Sequence, residues 1–185
     1  MKTAALRVVG WVLVSLATSQ AAVAQATAKG EIRRGEYLVG YGGCNDCHTP
    51  KLMTPRGPVP DKARLLSGHP ANTQLPPVPT DVGPGPNQWG AITNTDLTAW
   101  AGPWGISFAA NLTPDLQTGI GSWTPEVFIQ SMRTGKHLAV GRPLLPPMPW
   151  LNAAGLTDRD LKAVFAYLKS LKAIRNQVPS PLPPK

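Results

Sequence analysis

The sequence predicts an all-α domain in which three or four short helices are joined by long irregular connections. Three observations predict it. Two stretches, 124–135 and 157–172, carry helical apolar spacing together with start and stop signals. Strand signal is weak throughout. The 21 prolines and 18 glycines of the 185-residue chain crowd into the connections. A domain with so little regular chain would gain from a large apolar object at its centre.

The first residues read as an address rather than as fold. Lys2 and Arg7 give a basic start, an apolar run follows from Val8 to Ala17, and small residues close it as A-V-A and A-Q-A between Ala22 and Ala26. This is the pattern of a cleaved export signal over residues 1–24. The competing reading is an uncleaved anchor, but the run falls short of the roughly 20 residues that span a bilayer. Cleavage after Ala24 would remove two of the 18 basic residues against 10 acidic ones, lowering the formal charge from +8 to +6. An exported chain with scattered basic residues is not expected to bind nucleic acid. Its charge suits a solvated surface or an acidic protein partner.

Residues 30–42 read as a short helix running into the cysteines. Tyr37, Leu38 and Tyr41 can share one side, and Gly35 and Gly40 would permit close approach of another backbone. From about residue 53 to 108 the chain is an irregular insertion rich in Pro, Gly and Trp, which excludes a regular helix or central strand over 74–90. Its Trp89, Trp100 and Trp104 argue for packing against something apolar. In the next helix Thr124 is the N-cap, Pro125 takes the first position, Val127, Phe128 and Met132 give the apolar face, and Gly135 is the stop. Four prolines stiffen residues 140–150. The last helix starts at Thr157 with Asp160 three residues on, and Leu161, Val164, Phe165, Leu168 and Leu171 form one face. The domain is thus expected over 30–175, and 176–185 reads as a Pro-rich disordered or polyproline tail.

The only two cysteines lie in "YGGCNDCHTP", as Cys44 and Cys47, with His48 next. A structural zinc site needs four ligands, and here Cys44, Cys47 and one histidine make three. A thioredoxin-like dithiol expects a strand before the motif and a βαβ pattern around it, and neither is present. A disulfide this local would staple almost nothing. Covalent haem accounts for each residue: two thiols add to the porphyrin vinyl groups and the next residue projects an imidazole toward the iron. The second axial ligand must come from far along the chain. Met53 is too near His48, Met132 lies on a helix face, and Met148 stands in the proline-stiffened "LLPPMPW". A loop already fixed loses less entropy when its thioether, a weak ligand, binds. Met148 is therefore the expected ligand, with His69 and His137 as competitors. The sequon-like "NLT" at Asn111 reads as a turn beside the haem.

The pieces "RGEYLVGYGGCNDCHTP", "NLTPDLQTGIGSWTPEVFIQSMRTGKH", "PLLPPMPW" and "LTDRDLKAVFAYLKSL" occur in the order found in monohaem class I cytochromes c. The chain resembles most the haem domains of cytochrome subunits serving bacterial membrane-associated alcohol and sugar dehydrogenases. That resemblance implies an all-α class I cytochrome c fold around one haem c. It makes Cys44 and Cys47 the covalent attachments and His48 and Met148 the axial ligands. It sets the Tyr37 end of the first helix against Phe165 and Leu168. In the family a proline carbonyl often accepts the proximal imidazole's other proton, which here points to Pro58. The implied role is single-electron transfer in the bacterial periplasm, not enzymatic catalysis. The partners would be redox proteins, such as a periplasmic or membrane-associated dehydrogenase and a terminal oxidase chain, with membrane contact only through a partner. Lys51, Arg56, Lys62 and Arg64 could form a basic rim that steers acidic partners. The alternative is a peroxidase-like or oxygen-reactive haem enzyme with an open distal site, served by His69 or His137. The departure from the family is the insertion at 53–108, and the resemblance leaves its role open.

Overall fold

The computed structural model describes residues 25–83 and 85–184. The expected export signal, 1–24, lies outside the described residues. Among these residues five α-helices appear in order: α1 (25–41), α2 (Cys44–His48), α3 (Pro125–Thr134), α4 (Trp150–Ala154) and α5 (Asp158–Ser170). No helix among the described residues is long and apolar enough to cross a membrane.

The helix signals act as expected. Thr124 Oγ1 accepts the Val127 amide and Pro125 opens α3; Thr157 Oγ1 accepts the Asp160 amide at the start of α5. Their apolar faces meet in the core, where Phe128 and Phe165 lie 5.4 Å apart and Leu161, Val164 and Leu168 are buried with Ile129 and Met132. Arg133 ties α3 to the end of α4 and the start of α5, donating to the carbonyls of Ala154 and Leu156 and pairing with Asp158.

Helix α1 differs from expectation in the face it buries. Val39 is in the core and Leu38 packs against it, whereas Tyr37 and Tyr41 are exposed and stack on each other at 6.0 Å. The Tyr37 ring carries Arg34 above it on the solvent side. The register is set instead by Gly35, whose Cα faces the Ala163 carbonyl and Tyr167 Cβ of α5 so closely that a Cβ would overlap them. Arg34 and Asp160 close the same crossing with a 2.9 Å ion pair. Val39 lies one turn on from Gly35 and follows it inward.

The insertion is not irregular throughout. β1 (Lys51–Thr54) and β2 (Gly57–Pro60) form a hairpin in which Leu52 faces Val59 and Met53 faces Pro58. β3 (Ile92–Thr93), β4 (Ala99–Gly102) and β5 (Gly105–Phe108) form an antiparallel sheet in that order. The buried positions of β4 and β5 are Ala99, Ala101, Gly105 and Ser107. Small residues on the inner face leave no hydrophobic alternation in the sequence, which is why the strands are not legible there. Of the three insertion tryptophans, Trp89 is exposed. Trp100 and Trp104 are half-buried, with their indole N–H groups on the Leu97 carbonyl and Ser107 Oγ.

The Pro-rich tail is docked rather than disordered. Leu182 exchanges two 2.9 Å backbone bonds with Ile106 of β5. Asn176 donates to the carbonyls of Ser67 (2.7 Å) and His69 (2.8 Å) and accepts from the Ala71 amide. A polyproline segment needs no partner for its own ladder, so two or three such bonds are enough to hold it.

Inside the insertion His69 is fully buried, with Nδ1 2.9 Å from Thr98 Oγ1 and the ring 4.9 Å from Phe108. Among the described residues its Nε2 has no hydrogen-bond partner, and burial lowers its pKa from 6.5.

Two tests follow from these contacts. Gly35→Ala should destabilise the protein by about 1–3 kcal/mol through overpacking against α5. Gly40→Ala, whose Cβ would meet nothing within 4 Å, should instead stabilise it by roughly 0.5–1 kcal/mol. Chemical denaturation of both variants reads the difference. For His69 the folded pKa lies below the unfolded value of 6.5, so the unfolded chain binds more protons below that pH. Stability should therefore fall as pH drops from 7 through 6.5 toward the folded pKa, and His69→Phe should reduce that slope in denaturant titrations at stepped pH.

Candidate functional site

Gly43, in the left-handed conformation, separates α1 from the five-residue helix α2. Positions i, i+3 and i+4 of a helix share a face, so Cys44, Cys47 and His48 project to one side. Both thiols are free and half-buried, and burial raises their pKa values. His48 is buried, and desolvation lowers its pKa below 6.5, keeping the ring neutral.

The His48 ring is aimed from behind. Its Nδ1 lies 2.7 Å from the Ala110 carbonyl oxygen. A carbonyl only accepts, so Nδ1 carries the proton and Nε2 keeps its lone pair. Three segments build this arrangement. Gly68 N donates to the His48 carbonyl at 2.8 Å, His69 N to Ala109 O at 2.9 Å, and Leu112 N to Leu66 O at 2.9 Å. Gly68 has φ 78° and sits under Ala109 and Ala110 with no room for a Cβ, so only glycine lets the two backbones approach this closely. Thr49, fully buried, accepts the Leu66 amide and donates to Asn45 Oδ1.

The Ala110 carbonyl is in turn held by its neighbour. Asn111 is buried; its Nδ2 donates to Ile174 O at 2.8 Å and Thr118 Oγ1 at 3.2 Å, and its Oδ1 accepts from Thr113 N and Oγ1. The "NLT" is thus a fully bonded turn beside His48, with no amide proton of Asn111 left over.

Pro58 does not take the imidazole proton. It stands exposed in β2 opposite Met53, because the hairpin carries the chain outward and back. Ala110 replaces it. A backbone acceptor needs no particular side chain, so the sequence holds no signal for Ala110.

Lys51 also differs from expectation. Its ammonium donates to the carbonyls of Asn45 (3.2 Å), Asp46 (2.8 Å) and Thr49 (2.5 Å) rather than standing free on a rim. Arg64 is paired with Asp61 at 2.7 Å. Arg56 and Lys62 remain as exposed cations.

Met148 is half-buried and packs against the core that Cys44 also touches. Its loop is held at several points: Leu144 N donates to Gly135 O at 2.8 Å, Met148 N to Leu145 O at 3.2 Å, Trp150 N to Met148 O at 2.9 Å, and Ser107 Oγ to Pro146 O at 2.6 Å. Met132 is buried in α3 and Met53 is exposed on the hairpin. His69 is enclosed in the insertion, and His137 lies edge-on to Trp123 at 5.3 Å. Among the described residues no group of three or more His, Cys, Asp or Glu side chains converges on a metal position.

The residues present fit a covalently held haem. Two free thiols and an imidazole share one face of a short helix. The imidazole's Nδ1 proton is taken by a backbone carbonyl, and Nε2 keeps a lone pair of the kind that would hold an iron. One haem c is the cofactor this motif binds.

No protein-family model matches the chain. It is 35% identical over 91 residues to a nicotinate dehydrogenase subunit of Pseudomonas putida, covering 49% of this chain and 8% of that protein. It is 30% identical over 136 residues to the gluconate 2-dehydrogenase cytochrome c subunit of Pantoea cypripedii, covering 74% of this chain and 22% of the relative. A diheme cytochrome c-type protein of Cereibacter sphaeroides is 30% identical over 166 residues, with 89% of this chain and 43% of that protein covered. The chain spans less than half the length of each of these relatives. The C-x-x-C-H turn, its carbonyl-bound histidine and these similarities place the chain among the class I c-type cytochromes, homologous to the cytochrome c subunits of dehydrogenases.

Proposed function

We propose that this chain is a periplasmic electron carrier that passes single electrons between redox proteins, with Cys44 and Cys47 bonded to the haem, His48 Nε2 as proximal ligand and Met148 sulfur as distal ligand. The observation that carries the reading is the His48 Nδ1 bond to the Ala110 carbonyl. It fixes the ring's orientation and tautomer and leaves Nε2 with one role. Similarity to cytochrome subunits of dehydrogenases supports a dehydrogenase as electron donor.

The haem supplies a one-electron iron couple. The protein's residues set its character. The Ala110 carbonyl draws on the imidazole N–H and increases the basicity of Nε2. The Met148 thioether favours reduced iron and raises the potential. The apolar core against which Cys44 and Met148 pack disfavours the extra positive charge of the oxidised state. If His48 and Met148 both hold the iron, no site would be left open to oxygen or peroxide, and transfer would be outer-sphere. Arg56 and Lys62, on the hairpin turn and just beyond β2, are the cations left to meet an acidic partner.

Visible-absorbance redox titration of the holoprotein tests the axial pair. Met148→Ala should abolish the long-wavelength ferric methionine band. The potential should fall by roughly 100 mV or more, within the 0.8 V or so that axial ligands span. The variant should bind cyanide or carbon monoxide rapidly where the parent does not. A variant with the parent's spectrum and potential would show that Met148 is not the ligand.

A further inference from the structure

The Lys51 ammonium spends all three of its protons on the turn that carries the haem-binding residues. We propose that Lys51 is a positioning residue of that turn and a fixed positive charge that raises the reduction potential of the haem. The inference rests on the haem attachment and proximal ligation proposed above.

Three features argue for it. Helix α2 is only five residues long, so most of its carbonyls lack a partner within the helix. A cation beyond the last turn is the favoured cap for them. Lys51 supplies it from outside, since the chain has already turned into β1. Second, both ends of the side chain are held. The backbone of Lys51 is paired with Pro60 in the hairpin, and Asp61 N donates to Pro50 O at 2.8 Å beside it. The head group is fixed by carbonyls on either side of Cys47 and His48. Third, the charge lies within electrostatic reach of Cys47. Asp46 and Asp96 oppose it in part, but neither forms an ion pair with it.

A neighbouring cation works against the oxidised iron, which bears one more positive charge than the reduced iron. At an effective dielectric constant of about 20 such an interaction is large enough to read over the dimensions of a haem. Because the ammonium is held by the backbone, salt should screen it less than a free surface charge.

The test uses the holoprotein as parent, Lys51→Met and Lys51→Arg. Each is first checked for one covalent haem and a low-spin spectrum; failure of the parent here would overturn the haem reading, not this inference. Lys51→Met should then shift the equilibrium about tenfold toward the oxidised form at a fixed potential, about 59 mV for a one-electron couple. Lys51→Arg should recover most of that shift, and the shift should persist at high salt. Parent potential in a spectrally native Lys51→Met, or a shift that disappears in salt, would overturn the proposal. If Lys51→Met does not take up haem, acetylation of the parent holoprotein decides. Lys51 should react about tenfold more slowly than Lys62, because one charge-assisted hydrogen bond must break first. Equal reactivity of the two lysines would overturn the fixed charge.

Discussion

The structure depends on one hydrogen bond, from His48 Nδ1 to the carbonyl of Ala110 across 62 positions of chain. That bond decides which nitrogen faces inward. It also requires the backbone after β5 to return to the cysteine turn and stay there. Loop closure over such a distance costs entropy, but the cost grows only slowly with length. A long insertion between the two partners is therefore tolerable, provided its ends are pinned. They are pinned by Gly68 N on His48 O, His69 N on Ala109 O and Leu112 N on Leu66 O. Asn111 then converts the pinned backbone into a rigid one by bonding to the C-terminal segment at Ile174. The segment after α5 is thus part of the wall behind His48, although it lies far from the motif in sequence.

This explains which parts of the protein are legible in the sequence. The motif, the two capped helices and the apolar face of α5 follow from local rules, and the structure has them where the spacing puts them. Side-chain chemistry and helical period are written residue by residue. The buried face of α1 is not legible, because Tyr37 and Tyr41 are as apolar in pattern as Leu38. Solvent stacking of the two rings cannot be told from burial without the partner helix. The strands at 92–108 escape the sequence because their inner face is Ala, Gly and Ser. Ala110 escapes it because a backbone carbonyl leaves no mark, and the family habit points to a proline that lies on the wrong side of a hairpin. Lys51 looks like a rim charge because its flexible side chain can reach many carbonyls, and residue type does not say that it turns back onto those of Asn45, Asp46 and Thr49.

These departures share a physical cause. Each concerns a backbone group, a small residue or a long flexible side chain, whose own chemistry does not say which partner it takes. The correct readings concern residues whose own shape or chemistry restricts them: two thiols three apart, a proline at the first turn of a helix, a threonine before it.

The insertion gains a role from the same reasoning. β5 leads directly into Ala109 and Ala110, which orient His48. One residue of the same strand, Ser107, donates to the Pro146 carbonyl in the loop that carries Met148. The strand therefore touches the scaffolds of both proposed axial ligands. A thioether is the weaker of the two, so its position has to be fixed before it binds if the bond is to persist in the oxidised state. Proline supplies part of that stiffness and the Ser107 bond supplies another part, transmitted from the strand that also sets the histidine. Small residues form the buried face of β4 and β5, and the docked Leu182 on Ile106 covers the outer edge of β5. What reads in sequence as an irregular interruption is, in the fold, a strand bonded on one side to the loop of Met148 and leading on the other to the carbonyl that holds His48.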